Sequence, residues 1–400
     1  MAAYQDWRPH AVESLPWRSG SRRGNRADRT LSSVEATIPP FIADLDLPTD
    51  PAAQVAQEQA VRALAELDAD SRSGAAAISS FLIRTESIAS SKIEHIQATA
   101  EDFARALAGV RANASATSMV SAARAITRMI DDTAVAGVIT RESLLDAHRA
   151  LMDDDPTESA YAGRIRDMQN WIGGSDFSPI GAVHVPPAPH RIDELLDDLL
   201  RYANRDDVPV IAQAAIAHAQ FESIHPFTDG NGRIGRALVG AIFRRRGLTS
   251  VATPPVASAL AAHQGRYFGL LTQYRRGQAG PIVDELATAT RIASEESLAS
   301  VHAIQQLPDE WTAALAPRAG SATEALVAGL LEQPVFDAES AEERIRRPAS
   351  TVYDALDRLA QAGIIHSITS RTRNRVWAVT AIIDELGALD RRIAYRLVDA

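Results

Sequence analysis

The chain has 400 residues, 46% of them hydrophobic and 23% charged, which is typical of a soluble globular protein with two or three domains. The absence of cysteine excludes disulfides and thiolate metal sites. Because neither a signal peptide nor an apolar run of roughly 20 residues is apparent, we expect a cytoplasmic protein with no membrane partner. The net charge of -10 argues against a protein that coats nucleic acid non-specifically.

The N-terminal part of the sequence predicts a loose segment followed by helices. Residues 1–35 are rich in Arg, Ser and Gly and show little apolar periodicity, so we expect a flexible N-terminal arm there. After the extended Pro39-Pro40 pair, apolar residues recur at helical spacing from Ala52 onward. Residues 36–115 are therefore predicted to form an N-terminal helical region.

A short β-like segment interrupts the helical core that we place at residues 116–300. Gly173-Gly174 and Pro186-Pro187 break any helix, whereas the apolar residues of 180–185 favour a short hairpin. Helices are predicted again at residues 192–202, 210–223 and 235–246.

The last segment, residues 318–400, has the element order of a winged helix-turn-helix domain. Helices are predicted at residues 323–331, 341–346 and 350–362, with short strands at 364–368 and 376–379. Gly363 occupies the position of a helix C-cap. The predicted fold is thus mainly α, with a helical core, a short β-hairpin and a C-terminal winged helix-turn-helix domain.

The strongest chemical signal is the string His-Pro-Phe-Thr-Asp-Gly-Asn-Gly-Arg-Ile-Gly-Arg at residues 225–236. His225 follows a predicted helix and has an ordinary pKa near neutral pH, so it can act as a general base. Asp229 offers the hard oxygen ligand that Mg²⁺ accepts beside phosphates. A lone histidine before proline is more often a packing residue, so the inference depends on the whole string.

The second half of the string has the features of a phosphate-binding loop. Gly230, Asn231 and Gly232 allow a tight turn whose N–H groups lead into a helix N-terminus, where the macrodipole favours an anion. Arg233 and Arg236 lie three residues apart on that helix, so both guanidinium groups can reach one anion. A base, a metal ligand, a phosphate cradle and two arginines indicate a site for phosphoryl-type transfer.

This string resembles the signature of the Fic family, and the match is complete over the core motif. The usual reaction of that family moves AMP from ATP onto a Ser, Thr or Tyr hydroxyl of a target protein. The resemblance implies that His225 deprotonates the hydroxyl and that Asp229 holds Mg²⁺ on the α- and β-phosphates. The segment Gly230–Gly232, with its central asparagine, would bind those phosphates. Arg233 would neutralise the leaving diphosphate, and Arg236 would orient the γ-phosphate.

The resemblance covers roughly residues 36–290. Segments 163–166 and 185–187 fall where the family has a strand pair called the flap, which aligns an extended target segment by strand addition. Tyr267 lies in a segment that resembles the family's paired aromatics, and it either faces the nucleotide or packs in the core. The flap residues expected beside the target are Ile180, Gly181, Ala182, Val183, His184 and Val185.

A further segment that resembles the Fic family lies before the core, at residues 90–94. Ser90 and Glu94 are four residues apart on a predicted helix and therefore share one face. In many Fic proteins a Ser/Thr-x-x-x-Glu-Gly/Asn helix inserts its Glu beside the final motif arginine. The resemblance implies that Glu94 pairs with Arg236 and keeps ATP in an unproductive pose. His95 departs from the pattern, since the family has Gly or Asn there.

The winged-helix prediction leaves the partner open between DNA and another protein. Its third helix would enter a major groove, and its wing would meet phosphate or the minor groove. The candidate DNA contacts are Thr351, Tyr353, Arg371, Arg373 and Arg375. Acidic residues in the same segment favour protein docking or dimerisation instead, and a homodimer is a further expectation.

The leading hypothesis is an autoinhibited protein adenylyltransferase that uses ATP and Mg²⁺ on an unidentified target protein or on itself. The enzymatic alternative is removal of AMP from a modified protein, with Glu94 activating a water. Some members of the family transfer phosphocholine or a phosphoryl group. The non-enzymatic alternative is a DNA-binding regulator that only senses nucleotide, and His225 argues against it because a sensor needs no base.

Overall fold

The computed structural model describes residues 7–20, 23–46, 51–110, 112–369 and 375–398. The protein is mainly α-helical, as predicted, with two small antiparallel sheets. The helices are α1 (Arg26–Thr30), α2 (Pro51–Asp70), α3 (Ala75–Ile93), α4 (Ala100–Leu107), α5 (Ala114–Ala136), α6 (Arg141–Met152), α7 (Ile192–Ala203), α8 (Val210–Ile224), α9 (Asn231–Arg245), α10 (Val256–Ala262), α11 (Gln264–Arg275), α12 (Gly280–Leu315), α13 (Ala322–Gly329), α14 (Ala338–Ile345), α15 (Ala349–Gln361) and α16 (Thr380–Val398). The strands are β1 (Ala11–Pro16), β2 (Ser33–Ile38), β3 (Val335–Asp337), β4 (Ile365–Ser367) and β5 (Val376–Val379).

The chain divides into two compact units. Unit 1 comprises Met1–Val61, Arg124–Leu248 and His263–Thr288, and unit 2 comprises Arg62–Ala123, Thr249–Ala262 and Ala289–Ala400. Within the described residues, no helix is long and apolar enough to cross a membrane. The domain ranges given by the sequence stay predictions.

Helix α8 forms the centre of unit 1 because it is apolar on nearly every side. Every residue from Ile211 to Ile224 is buried, and a helix of this kind must be surrounded by other elements. Helices α7, α9 and α11 pack against it. The approach of α9 depends on Gly235, since a Cβ there would lie 2.6 Å from a carboxylate oxygen of Glu222 and 3.0 Å from the ring of Phe221.

The prediction of a flexible arm over residues 1–35 is wrong for the described part of that segment. Strands β1 and β2 pair antiparallel, with Ala11 opposite Ile38, and α1 lies between them. Asn25 and Asp28 close α1 with a reciprocal capping box. The sequence pattern missed this hairpin because its apolar residues pack on the segment around Val185, far along the chain.

In unit 2, α3 packs against α10 and α16, and α16 also contacts α4. The Glu86 carboxylate accepts the backbone N–H of Ala257 at 2.8 Å and so caps the start of α10. Lys92, near the end of α3, forms a 2.6 Å ion pair with Asp390 of α16.

The end of the chain follows the order α13, β3, α14, α15, β4, β5, with the strands arranged β3-β5-β4. Gly363 has φ +72°, which confirms the predicted left-handed position after α15. Strand β3 was not predicted, because three residues are too few to show an alternating pattern. The element order agrees with the expected winged-helix arrangement, but that assignment stays a prediction. Arg371 and Arg373 lie outside the described residues.

Candidate active site

His225 ends α8 in an unusual backbone conformation. Its φ is +51° and its ψ is +62°, the left-handed region that costs a non-glycine residue about 1 kcal/mol or more. Its N–H donates to the carbonyl of Phe221 at 2.8 Å, so the chain turns sharply at the last helical hydrogen bond. This turn directs the chain from α8 into the loop 226–230.

Arg166, from a different segment of the chain, stabilises this turn through hydrogen bonds. Its Nε donates to the His225 carbonyl at 2.8 Å, and its two terminal nitrogens donate to the carbonyls of Met168 and Pro187 at 3.0 and 2.6 Å. Its backbone N–H also donates to the carbonyl of Pro226 at 3.0 Å. One buried guanidinium therefore fixes both the turn at His225 and the two ends of the segment 168–187.

The loop between His225 and α9 is closed by an asparagine. The Asn231 side chain accepts the N–H of Phe227 at 2.8 Å and donates to its carbonyl at 2.9 Å. Asn170 donates to the same carbonyl at 3.0 Å, and Phe227 is fully buried. The Asn231 side chain is therefore engaged within the loop, and its predicted role in phosphate binding stays a prediction.

Gly230 begins α9 with φ +77°, against the side of α6. A Cβ there would lie 2.8 Å from Leu151 and 3.3 Å from the sulfur of Met152. Only glycine combines this conformation with this close approach. The N–H groups of the first turn of α9, including that of Gly232, have no acceptor within the helix, which makes this end of α9 suited to an anion.

The two motif arginines are both buried on α9. Arg233 and Arg236 are 5% and 4% exposed. A terminal nitrogen of Arg233 lies 3.5 Å from a carboxylate oxygen of Asp229, so the predicted metal ligand and the first arginine are adjacent. The side chain of Asp229 is itself 56% exposed, which leaves its carboxylate open to a ligand.

The surroundings of His225 favour the neutral imidazole at physiological pH. Burial, reinforced by the nearby guanidinium groups of Arg166 and Arg275, lowers the pKa of His225 to about 3. Its Nδ1 is enclosed by protein, so Nε2 is the nitrogen available to a substrate. The side chain is therefore in the form that accepts a proton.

Tyr267 lies in the core. It is 1% exposed, and its hydroxyl lies 2.8 Å from Nε2 of the buried His218 on α8. Of the two interpretations open from the sequence, the structure favours the core aromatic, and a direct role for Tyr267 with nucleotide has no support in this position.

The predicted flap is a turn with a single antiparallel bridge, between Ile172 and His184, instead of two regular strands. Gly174 has φ +78°, and a Cβ there would overlap the carbonyl of Ile180, so the turn requires glycine. Val183 is 68% exposed, and Gly181 is also exposed. The open part of the flap is therefore its tip.

The N-terminal hairpin braces the other end of the flap. The N–H and the hydroxyl of Thr37 both lie within hydrogen-bond distance of the Val185 carbonyl, at 2.9 and 3.1 Å. The Ser178 hydroxyl donates to Asp28 at 2.7 Å. The Val185 carbonyl and the N–H groups of Ala182 and Val183 are already bonded within the protein, and target pairing along residues 180–185 stays a prediction. His184 itself is buried and bonds to the Ser223 carbonyl at 3.0 Å, which is a structural role.

The predicted inhibitory segment lies in unit 2, at the end of α3. Ser90 is buried and Glu94 is half-buried. The N–H of Ile96 donates to the Ser91 carbonyl and that of His95 to the Lys92 carbonyl, both at 3.0 Å, which is a Schellman closure. His95 has φ +60°, so this position favours Gly or Asn for conformational reasons. The pairing of Glu94 with Arg236 stays a prediction.

The residues present fit Mg²⁺ only as an ion shared with phosphates. Among the described residues, no group of three or more His, Asp or Glu side chains could hold a metal. Mg²⁺ commonly takes one or two protein carboxylates together with substrate phosphates and water. The exposed carboxylate of Asp229, beside the N-terminus of α9, meets that requirement.

Two residues important to this geometry were not assigned a site role from the sequence. Arg166 was noted only within a family-like segment, and His148 of α6 was not noted. His148 was detectable as a histidine on the apolar face of a helix, between Leu144 and Leu151. A buried polar side chain in such a stripe requires hydrogen-bond partners.

Comparisons with known proteins find similarity to Fic proteins. Residues 138–243 match the Fic/DOC family. A curated relative from Nematostella vectensis, named protein adenylyltransferase Fic, is 33% identical over 168 residues, which are 40% of this chain and 35% of the relative. Protein adenylyltransferase fic-1 of Caenorhabditis elegans is 36% identical over 120 residues, 29% of this chain and 21% of the relative. The chain thus matches about a third or less of the length of these relatives.

The fold is shared with a solved structure. A Fic family protein from Desulfovibrio desulfuricans aligns with a TM-score of 0.55 and 22% identity, over 83% of this chain and 97% of that one. At 22% identity, this likeness shows the shared fold alone.

Proposed function

We propose that this chain is a protein adenylyltransferase that moves AMP from ATP to a hydroxyl of a protein, since its residues 138–243 match the Fic/DOC family. The observation that carries the proposal is the loop from His225 to α9. It brings a neutral imidazole, an exposed carboxylate and a helix N-terminus with two buried arginines into one short segment. The curated relatives named above support the same reaction.

In the proposed reaction His225 accepts the proton of the target hydroxyl at Nε2. The hydroxyl oxygen then forms a bond to the α-phosphorus of ATP, and the bond from that phosphorus to the bridging oxygen breaks. Diphosphate leaves with the electron pair, and the target carries AMP. Arg166 does not contact the substrate in this scheme, but it keeps the imidazole oriented by holding the His225 carbonyl.

The phosphates would lie at the start of α9. Backbone N–H groups of residues 231–233 and the guanidinium groups of Arg233 and Arg236 supply the positive environment that a triphosphate requires. Asp229 would hold Mg²⁺, which when bound neutralises part of the phosphate charge. The target segment would pair with the open tip of the flap, around Gly181–Val183, where Val183 is exposed.

We further propose that Glu94 restrains this activity by pairing with Arg236, the interaction implied by the family pattern. Keeping a site about 99% inactive requires about 2.7 kcal/mol, and a charge-assisted hydrogen bond supplies about 1.5–3 kcal/mol. His95 does not conflict with the pattern, since its side chain is exposed and its backbone adopts the left-handed conformation that Gly or Asn would adopt.

For unit 2 we propose DNA as the partner of α15. Thr351 is exposed and Tyr353 is 40% exposed on this helix, and Arg375 lies over the Trp377 ring at 5.7 Å at the start of β5. A salt-dependent mobility shift of a DNA fragment by the full chain supports this assignment, and binding that is absent at low salt contradicts it.

Transfer of label from ATP labelled at the α-phosphate tests the enzymatic proposal. We expect protein-bound label to increase in Glu94→Gly relative to wild type. It should fall by about 100- to 10,000-fold in Glu94→Gly/His225→Ala, since the general base is lost. The matched control is Glu94→Gly/His190→Ala, because His190 is an exposed histidine outside the site.

Equal labelling of wild type and Glu94→Gly would contradict the inhibitory role. No label in any sample, with ATP still bound, would favour AMP removal or nucleotide sensing instead. Hydrolysis of a protein already carrying AMP, measured in wild type and Glu94→Gly, then distinguishes those two.

A further inference from the structure

His148 of α6 is a fully buried histidine at 0% exposure, beneath the loop 226–230. Burial of a polar ring without partners would cost several kcal/mol, so its partners define its role. Its imidazole stacks on the ring of Phe227, with centroids 3.8 Å apart and planes 2° from parallel. Each of its two nitrogens also has one hydrogen-bond partner in the backbone.

The tautomer of His148 follows from those partners. The backbone N–H of Gly163 donates to Nδ1 at 2.9 Å, so Nδ1 carries no proton. Nε2 therefore carries the proton and donates to the backbone carbonyl of Asp229 at 3.1 Å. The opposite tautomer would place two donors face to face at Gly163 and leave the Asp229 carbonyl without its donor.

The surrounding backbone is shaped for this contact. Gly163 has φ +68°, and a Cβ there would lie 3.0 Å from the carbonyl of Leu145 on α6. Glycine thus allows the chain to come close enough for its N–H to reach His148. On the other side, a Cβ on Gly230 would lie 3.5 Å from the His148 ring. The His148 ring therefore packs against Phe227, Asp229 and Gly230.

The bond to the Asp229 carbonyl fixes the peptide plane between Asp229 and Gly230. That plane determines where the exposed carboxylate of Asp229 projects and where the first N–H groups of α9 point. Without the Nε2 donor, the carbonyl would be a buried acceptor lacking its partner, and rotation of this peptide would relieve it. The carboxylate and the N–H groups would then move together.

We propose that His148 is a positioning residue that sets the Asp229 carboxylate and the start of α9 to receive a metal-bound triphosphate. The inference deepens the proposed function and rests on it for the identity of the ligand. Groups that orient a metal ligand through a hydrogen bond typically change metal affinity by about 10- to 100-fold when removed.

The test measures binding of ATP with Mn²⁺, by calorimetry and by the electron paramagnetic resonance of the ion, in the full chain carrying Glu94→Gly. We expect His148→Phe, which keeps an aromatic ring but loses both hydrogen bonds, to weaken binding about 10- to 100-fold. His148→Gln, whose amide can donate to the Asp229 carbonyl, should recover most of that loss. Leu144→Ala, a buried change on the same helix, should lower the melting temperature without altering the affinity.

Combination with Asp229→Ala decides whether His148 acts through Asp229. If it does, His148→Phe adds little further loss in the Asp229→Ala background, because the two changes remove one interaction. Additive losses, or an effect of Leu144→Ala on affinity equal to that of His148→Phe, would overturn the positioning role alone. Failure of the parent protein to bind ATP with Mn²⁺ would overturn the proposed function and this inference together.

Discussion

The two units differ in their buried titratable side chains, because the buried histidines among the described residues all lie in unit 1. In unit 1, buried side chains donate to loop carbonyls: Arg166 donates to three, and His148 and His184 each contact one. The buried Asp198 of the same unit accepts the backbone N–H groups of Ile42 and Ala43. In the described part of unit 2 the buried polar side chains are mostly serine and threonine, and the two buried carboxylates, Asp68 and Glu86, accept backbone N–H groups. Asp68 accepts those of residues 250–252 at 2.7–2.8 Å, and Glu86 accepts that of Ala257.

This difference follows from what each unit must hold. A loop that turns sharply between two buried helices leaves carbonyls pointing inward, and inward carbonyls require donors. Helix starts in unit 2 instead leave N–H groups inward, and those require acceptors. The unit with the candidate site therefore contains buried histidines beside its buried carboxylates, whereas the buried titratable groups in the described part of unit 2 are carboxylates.

The largest expected effect is that acid destabilises unit 1 at a higher pH than unit 2. Burial is the first cause that lowers the pKa of five histidines of unit 1. They are His10 (to about 3), His148 (to about 4), His184 (well below its ordinary value), His218 (to about 3) and His225 (to about 3).

Because these pKa values are lower in the folded protein than in the unfolded chain, the unfolded chain takes up protons first as the pH falls. The contribution of these histidines to the free energy of unfolding is complete above pH 6.5. Below that pH the free energy of unfolding falls by about 1.4 kcal/mol per pH unit for each histidine. For Asp68, burial raises the pKa but hydrogen bonds from Ser250 and the following N–H groups lower it more. Its contribution is therefore complete above about pH 4 and is lost only below that.

Hydrogen exchange at pH values from 7.5 to 4, read peptide by peptide, measures this separation. We expect protection to fall first in residues 124–248 and later in residues 289–369. Loss of protection in both units at the same pH, or first in unit 2, would contradict the contrast between histidines and carboxylates.

Removal of the central donor of unit 1 is the next largest effect. Arg166→Met leaves the carbonyls of His225, Met168 and Pro187 without their donor, and each buried acceptor costs about 1–3 kcal/mol. We expect unit 1 to lose about 3 kcal/mol or more and AMP transfer to fall with it, while unit 2 keeps its exchange protection. Asp68→Ala is the matched variant in unit 2, where the pattern should be reversed.

The smallest effect concerns the end of α3. His95→Gly relieves a left-handed residue, worth about 1–2 kcal/mol, but gives the unfolded chain more freedom, worth about 0.4–1 kcal/mol. The net expectation is a stabilisation of about 0.5 kcal/mol, seen as a higher midpoint of urea unfolding for unit 2. A lower midpoint would show that the exposed histidine makes a stabilising contact that glycine cannot replace.

The parts of the molecule that were predictable from the sequence are those whose chemistry is local. The string from His225 to Arg236 is contiguous, so its base, turn and helix start could be read directly, and α8 ends within one residue of the predicted boundary. Helix α9 begins at Asn231, earlier than predicted, because Gly232 weakens a helical pattern that tertiary packing restores.

The parts that were missed depend on contacts between distant segments. His148 reaches a loop about 80 residues away, and Arg166 reaches a turn about 60 residues away. The N-terminal hairpin has its apolar partner at Val185. No local periodicity records such pairings, since each segment alone is consistent with several partners. Among these contacts, only that of His148 was indicated locally, by a histidine on the apolar face of a helix.

The most direct test of the account compares protein-bound label from ATP labelled at the α-phosphate with that from ATP labelled at the γ-phosphate, in the Glu94→Gly variant. If the loop at His225 performs AMP transfer, the α-label should appear on protein and the γ-label should leave with diphosphate. Protein-bound γ-label would instead show phosphoryl transfer and would contradict the central claim.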